Sequence, residues 1–99
     1  MSQNPLQLIV ELHCKADALD EVEQRAKAFM QQTRAEPGCK DVTFFRVNED
    51  SQRFVFLAEF ADEEALERHF EASWRDDAAT HLVDLLVEPP RRFTMKRVA

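Results

Sequence analysis

Three histidines, two cysteines and nineteen acidic residues are the side chains of this 99-residue chain that can carry protons, hold a metal or act as nucleophiles. His69 is set apart by its spacing. It follows Ala65 and Leu66 by four and three residues and precedes Phe70, so a helix over this stretch turns an imidazole toward its apolar side. An imidazole titrates near neutral pH, which makes His69 the candidate general base if a substrate reaches that side. The competing reading is a hydrogen-bonded core histidine, the commoner fate of such a residue. His13 and Cys14 are adjacent in a strand-like segment and point to opposite faces, so they do not share an ion. No metal site and no cofactor are expected. Cys14 and Cys39 are expected to be two reduced thiols. Glu11 and Glu59 fall toward opposite ends of neighbouring strands, which argues against a dyad sharing one proton; each is expected to pair with a basic neighbour such as Arg46.

The elements that position these residues follow from hydrophobic period. Residues 6–13 alternate as a first strand, with Leu6, Leu8, Val10 and Leu12 on one face and Gln7, Ile9, Glu11 and His13 on the other. From Asp17, an expected N-cap with Asp20 in the capping-box position, Leu19, Val22, Ala26, Phe29, Met30 and Thr33 form a helical stripe that Pro37 and Gly38 stop. Residues 41–48 read as a second strand, joined by a turn at Glu49, Asp50 and Ser51 to a third over residues 53–60, where Phe54, Phe56, Ala58 and Phe60 share a face. The period then changes. Asp62 suits a helix N-cap, and Glu63 and Glu64 place negative charge at the positive end of the helix dipole. Ser73 and Asp76 suggest a new helix from Trp74, with Ala78, Leu82, Leu85 and Leu86 inward. Pro89 and Pro90 end it, and residues 92–98 supply a last strand.

This order predicts one domain over residues 1–99, an α+β, ferredoxin-like split βαβ arrangement: a four-stranded antiparallel sheet with helices on one face. In that topology Cys14 and Cys39 lie one strand length apart, roughly 20 Å, too far for a disulfide. Ile9, Phe45, Val55 and Leu57 make the second face apolar as well, so a second copy of the chain is expected to pack against it as a homodimer.

Composition narrows the function. The chain is 44% hydrophobic and 32% charged with a net charge of −6, which disfavours nucleic acid as a partner. Arg91, Arg92, Lys96 and Arg97 form its one basic cluster, expected to be a solvated strand face rather than an anion site. No apolar run approaches the ~20 residues of a membrane span, and the N-terminus lacks the pattern of a secretory signal. A cytoplasmic location and no membrane partner are therefore expected.

With these elements in place the chain resembles the antibiotic-biosynthesis monooxygenase domain of the dimeric α/β barrel superfamily. The resemblance is carried by Glu11, by the Glu-Pro-Gly-Cys turn from Glu36 to Cys39, by EFADEEALERH from Glu59 to His69, and by Ser73 four residues later. It implies a pocket between sheet and helices and a small aromatic substrate. Members include oxygenases that oxidise quinols and phenols with O₂ and neither metal nor flavin, an isomerase of a phosphorylated sugar, and haem-degrading proteins. A cofactor-independent monooxygenase is the activity the resemblance points to; a non-catalytic binding or stress-associated module, or an isomerase, is the alternative. His69 would be the base, with Trp74, His81, Phe45, Phe54 and Phe56 contacting substrate. Trp74 stands where many relatives carry a histidine in a Ser/Thr-Pro-His segment. Leu12 and His69 occupy the positions of the asparagine and tryptophan of the haem-degrading branch, and His81 is out of step with its ligand, which argues against haem degradation.

Overall fold

The computed structural model describes residues 5–72 and 81–99. Four strands, β1 (Leu6–His13), β2 (Cys39–Arg46), β3 (Arg53–Phe60) and β4 (Arg91–Lys96), form one sheet in the order β2-β3-β1-β4. Every neighbouring pair is antiparallel. Two helices, α1 (Leu19–Arg34) and α2 (Glu63–Glu71), lie on one face. This is the split βαβ arrangement that the order of elements predicts. The expected helix from Trp74 falls largely outside the described residues; residues 81–83 are helical, and Leu82 and Leu86 are buried.

The β3 pattern shows how the core is built. Phe54, Phe56, Ala58 and Phe60 are buried, while the intervening Val55, Leu57 and Glu59 are partly exposed. A central strand puts alternate residues on opposite faces, and only one face is covered. Register extends the two sets across the sheet. Leu8 and Val10 sit opposite Ala58 and Phe56 on one side and opposite Thr94 and Arg92 on the other. Ile9 lies between Leu57 and Phe93 on the uncovered face.

Local chemistry fixes the joints. The Asp62 carboxylate accepts from the Ala65 N–H at 2.9 Å, the N-cap expected at the β3–α2 junction. At α1 the expectation differs from the structure: the N-cap is Ala18 and no side chain caps it. Ala18 is itself buried, and its N–H donates to the Lys15 carbonyl, so a backbone turn enters the helix and Asp17 stays exposed. Strand β2 starts at Cys39 rather than near residue 41, with a register shift between Cys39 and Asp41. Gly38 precedes it at φ +93°, and a Cβ there would lie 2.6 Å from the Cβ of Ala65. A side chain at position 38 would strain the backbone and push α2 away from the turn.

Candidate functional site

His69 lies in the second turn of α2, on the side the helix turns toward the sheet, and is 3% exposed. Its ring is packed among Phe29, Phe60 and Phe70 at centroid separations of 6.0, 5.0 and 5.6 Å. Nδ1 lies 2.7 Å from Oε1 of Glu36, a carboxylate with only 15% of its side chain exposed. In the tautomer that carries its proton on Nδ1, the ring donates to that carboxylate. Glu36 is brought there by the Glu-Pro-Gly-Cys turn after α1. Gly38 lets that turn approach Ala65, one helical turn before His69. The carboxylate and the buried imidazole each supply part of the solvation that the other gives up on burial.

The imidazole lines a cavity of about 360 Å³ between the covered face of the sheet, the two helices and residues 82–90. Leu8, Val10, Leu12, Val42, Phe56 and Ala58 form its floor, and among the described residues Phe29, Phe70, Leu82, Val83, Leu86 and Pro90 add apolar walls. Among the described residues the polar lining is Thr33, His69 and Arg92. Thr33 donates its hydroxyl to the Phe29 carbonyl at 3.0 Å, which leaves its oxygen able only to accept. The cavity is within the range of small-molecule sites, and a pocket of roughly 150 Å³ already admits benzene, so one or two fused rings fit.

Arg92, expected on a solvated face, is exposed, and it also lies opposite Val10 on the cavity side of β4, its guanidinium 4.7 Å from the centroid of Phe70. Phe70 thus carries the imidazole of His69 on one contact and a cation on another. Among the described residues Arg92 forms no ion pair, so an anion entering the cavity mouth meets an available positive charge. Its neighbour Arg91 faces the other way, 3.9 Å from Glu11. Arg46, expected to pair with Glu11 or Glu59, is held by Glu23 at 3.2 Å, and Glu59 accepts from Gln7 at 2.8 Å.

The other expected substrate contacts divide. Phe56 lines the cavity. Phe54 is buried but lies outside the lining, stacked on Phe44 at 5.1 Å with Arg46 over its ring. Phe45 is on the uncovered face and 51% exposed, because β2 alternates and Val42, Phe44 and Arg46 turn toward the helices. His81 is exposed and takes no part in the lining. Trp74 lies outside the described residues. Glu36 is the group sequence reasoning missed; the Glu-Pro-Gly-Cys turn marked its place but not its partner 33 residues away.

Burial pushes the Cys14 thiol up, and burial together with the nearby Glu36 carboxylate pushes up that of Cys39. Both are free thiols. No helix among the described residues is long and apolar enough to cross a membrane.

Comparison with known proteins agrees with this architecture. A conserved protein from Methanosarcina mazei Go1 superposes with a TM-score of 0.92 at 18% identity, over 96% of this chain and 94% of its own. SnoaB of Streptomyces nogalater, described as a cofactor-independent oxygenase, superposes with a TM-score of 0.85 at 17% identity, over 93% and 91%. These likenesses speak for the fold. The uncharacterised protein sll1783 of Synechocystis is 24% identical over 88 residues, which are 89% of this chain; the chain spans 60% of that relative's length. Residues 5–80, including the Glu36 turn, β3 and His69, match the sequence profile of the family described as antibiotic biosynthesis monooxygenase, and the chain belongs to that family.

Proposed function

We propose that the protein is a cofactor-independent monooxygenase of a small phenolic or quinol substrate, with His69 as general base. The observation that carries this reading is a buried imidazole, backed by a carboxylate at 2.7 Å, that lines a cavity whose other described lining is apolar apart from Thr33 and Arg92. An electron-rich phenol reacts with O₂ once it is deprotonated, because the phenolate can give up an electron that the neutral phenol holds. The protein then has to take one proton, exclude water and stabilise the oxyanion. His69 accepts the phenol proton, the apolar walls shed water, and Arg92 meets the developing negative charge. The net change, phenol and O₂ to quinone and water, balances without a reductant. The description of SnoaB as a cofactor-independent oxygenase supports the reading.

A second copy is proposed to cover the bare sheet face, where Phe45, Phe93 and Met95 are exposed beside Ile9, Val55 and Leu57. The second functional reading, a binding module without chemistry, draws on the same His69–Glu36 contact, since that pair also satisfies a purely structural histidine.

Chelator-treated protein incubated with a panel of naphthols and hydroquinones, with oxygen uptake and quinone absorbance recorded together, separates the two. Turnover that falls at least about 100-fold in His69→Gln while ligand affinity holds supports the enzyme. Binding without oxygen uptake supports the module, and equal turnover in both proteins removes His69 from the mechanism.

A further inference from the structure

We propose that the cavity takes an aromatic acid, with Arg92 holding its carboxylate where the cavity meets solvent. The proposal rests on the reading of the cavity as a phenol site and adds a second group to the substrate, an anion that is present before any chemistry begins.

Arg92 differs from every other described arginine. Arg25, Arg46, Arg53, Arg68 and Arg91 each face a carboxylate, of Glu21, Glu23, Asp50, Glu64 and Glu11 in turn, at 2.8 to 3.9 Å. Arg34 donates to the Val42 carbonyl at 2.9 Å, and Arg97 donates to a main-chain oxygen of Ala99 at 2.9 Å. Among the described residues Arg92 has neither kind of partner; its guanidinium stands over the ring of Phe70, 4.7 Å from the centroid. In a chain with 19 acidic residues against 13 Lys and Arg, a guanidinium without a carboxylate departs from the pattern of the rest.

Its position gives that charge a use. Arg92 is exposed and also lines the cavity, and Phe70, the ring beneath its guanidinium, is a lining residue too. The cation therefore stands at the boundary between the chamber and water. Stacking on a ring occupies one face of the guanidinium plane and leaves the N–H donors at its edge available. No Asp or Glu is among the described lining residues; Glu36, the carboxylate bonded to His69, lines a separate smaller pocket. The described lining thus carries one fixed positive charge and no negative one, among walls of Leu, Val, Phe and Pro.

That combination selects a flat apolar body with one anionic group at its edge. A carboxylate fits better than a phosphate. It is planar and singly charged, it matches the guanidinium fork with two parallel N–H···O bonds, and one arginine neutralises it, whereas a phosphate dianion keeps uncompensated charge beside apolar walls. Two of the five guanidinium donors suffice for the carboxylate, so the others remain to meet the oxyanion that forms at the phenol. Because the pair stays in contact with water, its contribution is set at about tenfold in affinity.

Equilibrium binding tests this without oxygen chemistry. The protein is titrated by calorimetry, under anaerobic conditions, with 2-naphthoate, its methyl ester and 2-naphthyl phosphate, which share one ring system. The wild type is expected to bind naphthoate about tenfold more tightly than the ester and more tightly than the phosphate, and affinity for naphthoate, not for the ester, is expected to fall as salt rises. Arg92→Met, which keeps an unbranched apolar stem, is expected to bring naphthoate down to the ester or below and to leave the ester within about twofold; Arg92→Lys keeps the charge, loses the fork and is expected to recover part of the difference. Equal affinity for naphthoate and ester in the wild type overturns the proposal with no variant needed, and so does equal loss of both ligands in Arg92→Met, which makes the arginine a wall. Tighter binding of the phosphate overturns the carboxylate. All three results leave the oxygenase reading standing, because a neutral phenol still has its site; oxygen uptake absent with every phenol, while naphthoate binding depends on Arg92, overturns the oxygenase and supports the acid site.

Discussion

On the helix side of the sheet Leu8, Leu12, Phe54, Phe56 and Ala58 are each no more than 6% exposed, whereas on the other side Phe45, Phe93 and Met95 keep 51%, 38% and 44% of their surface. The same strands supply both sets, one residue apart. On β1 and β3 the inner set is wholly apolar while the outer set mixes Ile9, Val55 and Leu57 with Gln7, Glu11, Arg53 and Glu59, and only the inner set is covered by the chain itself. Two helices and residues 82–90 cover one face and leave a chamber lined in part by an imidazole and a guanidinium. The described chain offers nothing to cover the other. The first face encloses a chamber because the chain's own elements cover it; the second stays open because none of the described elements does.

The largest contrast is expected in stability. Phe56→Ala removes a side chain that packs on Phe29 and Phe44, and is expected to cost about 3 kcal/mol in urea denaturation, while Phe45→Ala costs less than about 1 kcal/mol for the isolated protomer. A larger loss for Phe45→Ala that grows with protein concentration would show the outer face working within an assembly. Next, Leu57→Arg, which puts a charge at the centre of the bare face, is expected to weaken self-association by at least about 30-fold in sedimentation equilibrium, with the cavity intact. An unchanged association constant would reject that face as the dimer surface.

A finer contrast lies between adjacent arginines. Arg92→Met is expected to lower affinity for a carboxylated phenol about tenfold and to leave a neutral naphthol within about twofold, while Arg91→Met changes neither, as calorimetry would report. The smallest effect concerns thiols. Both cysteines are held above the usual thiol range and are expected to alkylate slowly at mildly alkaline pH. Glu36→Gln removes one of the causes acting on Cys39, lowers its titration and increases its thiolate fraction, so Cys39 is expected to react a few-fold faster with iodoacetamide while Cys14 is unchanged.

Much of this contrast was legible in the sequence. Alternation over residues 53–60 marked β3 with its bounds, and Asp62 with its two following glutamates marked the start of α2, because period and capping are local properties. Local signals also placed His69 on the inner side. They did not reach Glu36, because that contact joins a turn to a helix through tertiary packing around Gly38. Nor did they assign the faces of β4. Phe93 and Met95 alternate with Arg92, Thr94 and Lys96, and hydropathy alone turns the apolar set inward, but pairing with β1 turns it outward. Periodicity gives two faces; only the partner strand says which is which. The entry to α1 was misread for a related reason, since a backbone turn at Lys15 did what a capping side chain was expected to do.

The doubled arginine of β4 carries one more implication. A slip of this edge strand by one position would seat Arg91 opposite Val10 in place of Arg92, and the chamber would still receive a guanidinium. The same slip would withdraw Phe93 and Met95 from the outer surface and set Arg92, Thr94 and Lys96 there instead. The second copy proposed for the outer face would, by demanding phenylalanine and methionine at its seam, also proofread the inner chamber, and separating the two copies would relax that check.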